Sequence, residues 1–437
     1  SRICGVCPEA HHMAAAKAVD AVYRVEPPRA ARLLRELLYS AFIVADHTTH
    51  FYVLSGPDFL VGPDAPVAER NILGVIQRVG GDLGLQVIEA RRRGHAVIEA
   101  IGGRKVHPAT AVPGGMTKGL SEAERAEIEA TGRWMVDFAS RSLGVWDELV
   151  LSDPGYVEML RGDVYRDETY YLGLVDAEGK AAMYDGGVRV VRPDGSVFGE
   201  YDPVEYPVWI AERVEPWTYL KFPYLRQVGW KGLVAGPDSG VYCVGPLARL
   251  NVATAMPSPR AQAAFERYLE TLAPDSDGRR PVVHQRMAMH WARLVELMAA
   301  AERVVELATD PEITSPDIRA IPTETPTEGV GTVEAPRGTL THHYWTDERG
   351  LVTRVNLIVG TTNNYAPIAM SVERAARSLI HRGTVVGQGL LNRIEMAFRA
   401  YDPCFGCATH SLTGLMPLEV TIRGADGTTI DVLRQHC

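Results

Sequence analysis

The residues Ser-Arg-Ile-Cys-Gly-Val-Cys-Pro-Glu-Ala-His occupy positions 1–11, and Asp-Pro-Cys-Phe-Gly-Cys-Ala-Thr-His occupies positions 402–410. Each stretch contains one Cys-x-x-Cys pair, which brings two thiolates to the spacing of neighbouring ligands on one ion. The four cysteines are Cys4, Cys7, Cys404 and Cys407. Four thiolates suit zinc, iron or another soft metal without identifying it. Because almost the whole chain separates the pairs, the finished fold must assemble such a site, which favours a buried functional metal over a zinc-stapled small domain.

The composition excludes several classes of protein. The 437 residues are 46% hydrophobic and 23% charged, as in an ordinary globular chain with a large core. The formal net charge of -9 and the lack of a basic block disfavour a nucleic-acid partner. The most apolar stretch, around residues 33–54, is interrupted by charged residues and histidines. It therefore does not predict a transmembrane segment.

Apolar residues recur at helical spacing over much of the chain. The predicted helices cover residues 28–54, 67–101, 121–151, 259–272, 283–309, 367–381 and 385–401. Alternating segments with turn residues predict antiparallel sheets at residues 170–201 and 331–359, and a hairpin at residues 420–432. The predicted fold class is α+β and mostly α, with a long-helix bundle core and small peripheral antiparallel β units. We expect a single domain over residues 1–437, with its helical core at about residues 1–165 and 250–410 and a β-rich insert at about residues 166–250.

Histidine and acidic residues accompany both cysteine pairs. His11 follows the first pair by four residues and His410 follows the second by three, so each pair has an imidazole within reach as a ligand, hydrogen-bond donor or proton carrier. Asp402 precedes the second pair by two residues. Asp46 and His50 share a face of the first long predicted helix. Taken alone, such a pair is more often a satisfied structural hydrogen bond.

These motifs resemble those of a known family. Arg-x-Cys-Gly-x-Cys-x-x-x-His at residues 2–11 and Asp-Pro-Cys-x-x-Cys-x-x-His at residues 402–410 look like the two signature motifs of the large, catalytic subunit of nickel-iron hydrogenases, in the same order. The resemblance extends through residues 334–344 and 356–364 and covers essentially the whole chain. It implies the fold of that subunit. The implied activity is reversible heterolytic cleavage of H2 to two protons and two electrons.

The resemblance also implies a nickel-iron centre with carbonyl and cyanide ligands, Ni-Fe(CN)2CO. Cys4 and Cys404 would bind nickel terminally, and Cys7 and Cys407 would bridge nickel and iron. His410 would bind magnesium or a similar divalent ion. The implied cofactor-binding positions around the centre are Pro336, Thr361 and His11. For Thr361 the alternative is a plain strand end.

The implied catalytic residues are Arg337, Asp46, Asp402 and Cys404. Arg337 resembles the arginine that lies over the open metal position, where a guanidinium could polarise hydrogen or assist proton removal. An arginine after proline is otherwise usually a solvated loop charge. Asp46 resembles an acid of the same outer shell.

Partner proteins follow from the same resemblance. The site cysteines are too few to hold iron-sulfur clusters as well, so we expect clusters only in a partner, the iron-sulfur small subunit. Residues 218–223 and 339–344 look like those of the soluble cytoplasmic group that passes electrons to nicotinamide, deazaflavin or heterodisulfide-linked partners. We therefore expect a cytoplasmic complex with electron-acceptor subunits of the diaphorase-like or heterodisulfide-linked type.

Both ends of the chain carry further expectations. The family has an upstream Arg-x-Glu-Gly-His segment with a proton-relay glutamate, and we expect that this N-terminal piece is missing here. Residues 411–437 are expected to be a propeptide that a maturation endopeptidase removes, leaving His410 at the C-terminus. Two alternatives remain open. One is a structural four-cysteine zinc protein, and the other is the large subunit of a membrane-associated energy-converting hydrogenase.

Overall fold

A computed structural model describes residues 3–218, 220–273, 281–404, 418–424 and 426–435 of the chain. The helices are α1 (Pro8–Val22), α2 (Arg29–Thr49), α3 (Ile72–Val79), α4 (Gly81–Gly102), α5 (Glu122–Trp146), α6 (Pro154–Arg161), α7 (Tyr206–Trp209), α8 (Pro246–Val252), α9 (Pro259–Leu272), α10 (Met289–Ala308), α11 (Gly360–Asn363), α12 (Tyr365–Leu379) and α13 (Gln388–Arg399). The strands are β1 (Ala111–Val112), β2 (Gly115–Met116), β3 (Tyr170–Val175), β4 (Gly187–Val191), β5 (Val197–Tyr201), β6 (Ile210–Val214), β7 (Lys221–Leu225), β8 (Tyr242–Cys243), β9 (Glu328–Ala335), β10 (Gly338–Thr346), β11 (Val352–Ile358), β12 (Leu418–Arg423) and β13 (Thr429–Gln435).

The core is a bundle of long helices around α10. Helix α10 packs against α5 and α2, and α2 packs in turn against α4. Most residues of α10 are buried, as expected of a helix in the middle of a bundle. Three of its buried side chains are nevertheless ionisable, His290, Arg293 and Glu296. Such groups need partners inside the protein.

Helix α2 carries Asp46 near its C-terminal end and ends irregularly. The chain continues beyond Thr49 in π-helical turns at His50–Ser55 and Pro57–Val61, a geometry that is frequent at functional sites. The single helix predicted over residues 67–101 is two helices, α3 and α4. The break lies at Gly80, whose φ of +89° is incompatible with a continuing helix.

Helix α1 was not predicted, although it begins directly after the first cysteine pair. It packs on a three-stranded antiparallel sheet of order β11-β10-β9, which confirms the sheet predicted at residues 331–359. The contact is close because β9 presents glycine to the helix. A Cβ atom added to Gly331 would lie 2.2 Å from the Ala14 carbonyl oxygen and 2.3 Å from the Ala18 nitrogen. The sheet thus fixes the distance between α1 and β9, and with it the position of Cys7 at the start of α1.

Gly331→Ala is expected to destabilise the protein by about 1–3 kcal/mol or more, because the added methyl group meets backbone atoms that cannot rotate away. Thermal unfolding of the purified chain measures the effect. Gly144→Ala is the control, since a Cβ at Gly144 in α5 meets no atom within 4 Å. That change is expected to be neutral or to stabilise by up to about 1 kcal/mol through helix propensity. Equal melting temperatures for both variants would contradict the packing argument.

A second sheet has the order β5-β4-β3-β8. Strands β3, β4 and β5 are antiparallel, as predicted for residues 170–201, whereas β8 is parallel to β3. The hairpin β6-β7 was not predicted, and the predicted C-terminal hairpin is confirmed as β12-β13. Among the described residues, no helix is both long and apolar enough to cross a membrane.

Candidate metal centre

Three of the four predicted metal-binding cysteines meet at one point. The Cys4 sulfur lies 3.1 Å from the Cys7 sulfur and 3.6 Å from the Cys404 sulfur, across 400 residues of sequence. All three are free cysteines. The separations far exceed a disulfide bond of about 2.05 Å. Two sulfurs bound at about 2.3 Å to one tetrahedral ion would be about 3.8 Å apart, so the donor set fits a soft metal ion.

Local backbone structure aims these sulfurs at each other. Cys7 is the N-cap of α1, and Pro8 follows in the first turn, where its missing N–H costs no hydrogen bond. The Cys4 sulfur accepts hydrogen bonds from the backbone N–H groups of Val6 and Cys7 at 3.3 Å. Cys404 follows α13, and its backbone N–H donates to the Thr361 hydroxyl oxygen at 3.3 Å.

The three thiols do not ionise equally. Hydrogen bonds from Cys404 and Cys7 to the Cys4 sulfur lower the pKa of Cys4 far below its usual value. The same sharing raises the pKa of Cys7 and of Cys404. Since thiolates are the binding form, a metal ion that binds must displace the thiol protons that these hydrogen bonds hold.

His11 completes the group of potential ligands. One of its ring nitrogens lies within 4.8 Å of the Cys4 and Cys7 sulfurs. The Nδ1 atom is 3.0 Å from Nε2 of His342, whose Nδ1 is 2.5 Å from the Tyr344 hydroxyl. Burial lowers the pKa of both histidines, that of His342 to about 3. Both rings are therefore neutral at pH 7, which suits an imidazole beside a metal centre.

Arg337 lies beside the cysteines in the turn between β9 and β10 and is only 5% exposed. Its Nε–H donates to the Asp402 carbonyl oxygen at 2.7 Å, and its Nη2 lies 2.9 Å from a carboxylate oxygen of Asp402. Its Nη1 is 3.4 Å from Oδ2 of Asp46. The predicted catalytic residues Arg337, Asp46 and Asp402 are thus brought together within one buried ion cluster.

The two acids differ in their surroundings. Asp402 has a φ of +56°, a left-handed conformation that aspartate tolerates better than most residues, and both its backbone and its side chain face Arg337. Asp46 uses one carboxylate oxygen for Arg337, and its Oδ1 has no hydrogen-bond partner among the described residues. Burial raises the pKa of Asp46, although Arg337 opposes the shift.

The remaining predicted positions are less uniform. Pro336 immediately precedes Arg337, and its carbonyl oxygen accepts a hydrogen bond from Arg249. His50 does not pair with Asp46, because its Nε2 is bonded to the Arg399 carbonyl oxygen at 3.0 Å. Cys407 and His410 lie outside the described residues.

Sequence reasoning missed a buried cluster of charges behind Arg337. Arg249 in the last turn of α8 is bonded to Glu296 of α10 and to Glu334 of β9, and Glu296 is bonded to His47 of α2. All four side chains are buried. A signal was available in α10, where charged residues interrupt an otherwise apolar helix.

Comparison with known proteins gives a consistent result. A family model described as nickel-dependent hydrogenase matches residues 1–70 and 238–410. An F420-non-reducing hydrogenase iron-sulfur subunit from Archaeoglobus profundus is 46% identical over 434 residues, which cover 99% of this chain and 88% of that protein. The NAD-reducing hydrogenase HoxS subunit beta of Cupriavidus necator is 36% identical over 446 residues, which cover 98% of this chain and 87% of that protein.

Solved structures show the same likeness. The crystal structure of an NAD+-reducing NiFe hydrogenase in the H2-reduced state matches with a TM-score of 0.84 and 36% identity, covering 94% of this chain and 87% of that chain. The Ni-Fe-Se hydrogenase of Desulfovibrio vulgaris Hildenborough matches with a TM-score of 0.70 and 24% identity, covering 94% of this chain and 88% of that chain, which shows a common fold. The predicted fold class is confirmed.

Proposed function

The chain belongs to the nickel-dependent hydrogenase family, and from that premise we propose how its residues contribute to the cleavage of H2. It is the catalytic large subunit of a nickel-iron hydrogenase, an oxidoreductase with a nickel-iron centre. We propose which residues hold the metals, which act on the substrate, and where the electrons go. Its main support is the approach of Cys404 to the N-terminal cysteine pair directly beside Arg337.

Cys4, Cys7, Cys404 and Cys407 are proposed to be the residues that would hold the centre. Bound there, the metal pair supplies the Lewis acidity that makes H2 acidic enough to lose a proton. Pro336 and Thr361 would face the carbonyl and cyanide ligands of the iron. His11 would donate its single ring N–H, at Nε2, toward the thiolates, with its Nδ1 accepting from the Nε2–H of His342.

Arg337 is proposed to act on the substrate as a fixed positive charge. The guanidinium remains protonated at all working pH values, and its contacts with Asp402 and Asp46 hold it in one orientation. In a buried site such a preorganised charge stabilises charge separation without reorganisation of solvent. The two carboxyl groups balance it, so that the charge can be buried at all.

The electrons are proposed to leave through an iron-sulfur small subunit. Apart from the three site cysteines, the described residues contain only Cys243, which is buried in β8 and cannot ligate a cluster alone. The relatives in Archaeoglobus and Cupriavidus are subunits named for F420-non-reducing and NAD-reducing hydrogenases. On that basis we propose further acceptor subunits of the diaphorase-like or heterodisulfide-linked type. We also propose a cytoplasmic location, because nicotinamide acceptors are available there.

Maturation is proposed to involve the C-terminal end. A maturation endopeptidase would remove residues 411–437, and His410 would then bind magnesium or a similar divalent ion. The chain up to that cleavage point would form one domain, with a helical core at about residues 1–165 and 250–410 and the β-rich insert at about residues 166–250. Neither alternative function, the zinc protein or the energy-converting subunit, has support from an observation made on this chain.

Elemental analysis and infrared spectroscopy of the purified complex test the proposed centre. We expect nickel and iron in the large subunit together with infrared bands in the carbonyl and cyanide region. The control is the same chain produced without nickel, which should lack nickel-dependent activity. Zinc without these bands in fully matured protein would contradict the proposal and favour the structural zinc site.

A further inference from the structure

Arg249 is the most completely bonded charged side chain near the site. It is fully buried, and its five N–H groups match five hydrogen bonds. Nε and Nη2 donate to the two carboxylate oxygens of Glu296 at 2.5 and 2.7 Å, and Nη1 donates to Glu334 at 2.9 Å. The last two bonds go to backbone carbonyl oxygens, those of Ala335 at 2.9 Å and Pro336 at 3.3 Å.

These backbone acceptors are the two residues that immediately precede Arg337. The segment has little freedom on its other side, because a Cβ at Gly338 would lie 2.1 Å from a methyl group of Val244. The Arg337 carbonyl oxygen accepts a further hydrogen bond from the Asn364 side chain at 3.2 Å. Arg249 therefore donates hydrogen bonds that hold the backbone of Ala335 and Pro336, the segment that leads from β9 to Arg337.

The same network reaches the partner of Arg337. Glu296 accepts hydrogen bonds from Arg249, and its Oε2 also lies 2.9 Å from Nε2 of His47. His47 is adjacent in sequence to Asp46, the residue paired with Arg337. Burial opposes the ionisation of Glu296, but Arg249 and His47 bring its pKa down to about 2, so the carboxylate stays charged and keeps these bonds at neutral pH. The network thus ends at Pro336 and at His47, the sequence neighbours of Arg337 and Asp46.

We propose that Arg249 is a positioning residue for Arg337. Through the Ala335 and Pro336 carbonyls on one side, and through Glu296 and His47 on the other, it fixes the separation between the Arg337 guanidinium and the Asp46 carboxylate. Arg249 itself touches neither metal nor substrate. This inference rests on the proposed role of Arg337 in H2 cleavage.

Arg249→Lys separates positioning from general stability, because lysine keeps the charge but cannot form the planar fork. We expect kcat to fall about tenfold in the complete complex, as it does when a catalytic group is slightly misplaced. In an Arg337→Lys background the same change should cost less than about twofold, because there is no longer a guanidinium to position. Equal losses in both backgrounds would overturn the proposal.

Arg35→Lys is the matched control. Arg35 is 1% exposed and is bonded to one carboxylate, that of Asp20, and to the carbonyl oxygens of Val112 and Gly115, which lie on other elements. Arg35→Lys should lower the melting temperature, but its effect on kcat should be the same in the wild-type and Arg337→Lys backgrounds. Coupling of Arg35 to Arg337 as large as that of Arg249 would overturn the proposal.

Hydrogen exchange gives a second readout that does not need the metals. In the metal-free full chain, Arg249→Lys is expected to speed deuterium uptake in peptides that contain residues 335–340, whereas Arg35→Lys is expected to leave those peptides unchanged. Unchanged uptake in Arg249→Lys would contradict the proposal.

A poorly folded Arg249→Lys chain would not end the test. Glu296→Gln removes the charge that anchors Arg249 and should show the same loss and the same coupling to Arg337. Additive effects of Glu296→Gln and Arg337→Lys would overturn the proposal in that case. A wild-type complex that contains no nickel and does not oxidise H2 would refute the proposed function. An active wild type in which the effects of the variants are additive would refute only the role of Arg249.

Discussion

Cys4→Ser is expected to reduce both nickel content and H2-dependent dye reduction to background. The Cys4 sulfur lies within 3.6 Å of both other sulfurs, and their hydrogen bonds lower its pKa, so it is readily available to a metal as a thiolate. A serine hydroxyl is neither ionised at neutral pH nor a soft ligand, so the replacement removes a metal bond rather than weakening it. Elemental analysis of nickel per chain and a hydrogen-uptake assay measure the two losses.

Cys243→Ala is the control for that experiment. Cys243 is also fully buried, but it lies in β8, where its thiol donates a weak hydrogen bond to the Val244 carbonyl oxygen at 3.5 Å. Its removal should lower the melting temperature by a few degrees, about 1 kcal/mol of packing, and leave nickel content and activity intact. Full nickel content and activity in Cys4→Ser would refute the assignment of the first pair.

Arg337→Lys is expected to retain nickel and iron but to reduce turnover at least about tenfold. Arginine reaches the Asp402 carbonyl, the Asp402 carboxylate and the Asp46 carboxylate with different nitrogens of one rigid plane. A lysine ammonium is a single point that cannot satisfy these three directions. Steady-state H2 oxidation gives kcat, and metal analysis with infrared spectroscopy shows whether the centre is intact.

Arg35→Lys again serves for comparison, because it makes the same chemical change at a buried arginine with no contact to the site. It should retain at least about half of the turnover. An Arg337→Lys enzyme with wild-type turnover would show that the guanidinium is not needed. A variant that loses its metals would instead make Arg337 a residue of assembly.

The sequence predicted the helical core well, and the reasons for its errors are specific. Helices such as α5 and α9 have periodic apolar faces and recognisable ends. The division between α3 and α4 falls at Gly80-Gly81, a dipeptide typical of turns, and it was overlooked because the apolar periodicity continues across it. The hairpin β6-β7 was missed because Pro223 lies inside its second strand, and proline normally argues against a strand.

The sequence predicted which residues belong to the candidate site but not which of them contact each other. The cysteine motifs and the Arg337 segment are local patterns, and they could be read directly. The pairing of Arg337 with Asp46 joins residues 291 positions apart, and Arg249 reaches Glu296 and Glu334 on two other elements. Such contacts depend on how helices and strands pack, and a single sequence does not encode them in any local pattern.

Because Cys4 and Cys404 are 400 positions apart, the two cysteine pairs are synthesised at different times. At about 5–20 residues per second, the first cysteine pair leaves the ribosome about 20–80 s before its counterpart has been synthesised. During that interval the nascent chain offers two thiols to any soft metal in the cell, and no complete set of ligands yet exists. With the four cysteines as the proposed ligands, metal loading is a late event, possible only once translation has passed the second pair and the two pairs have met.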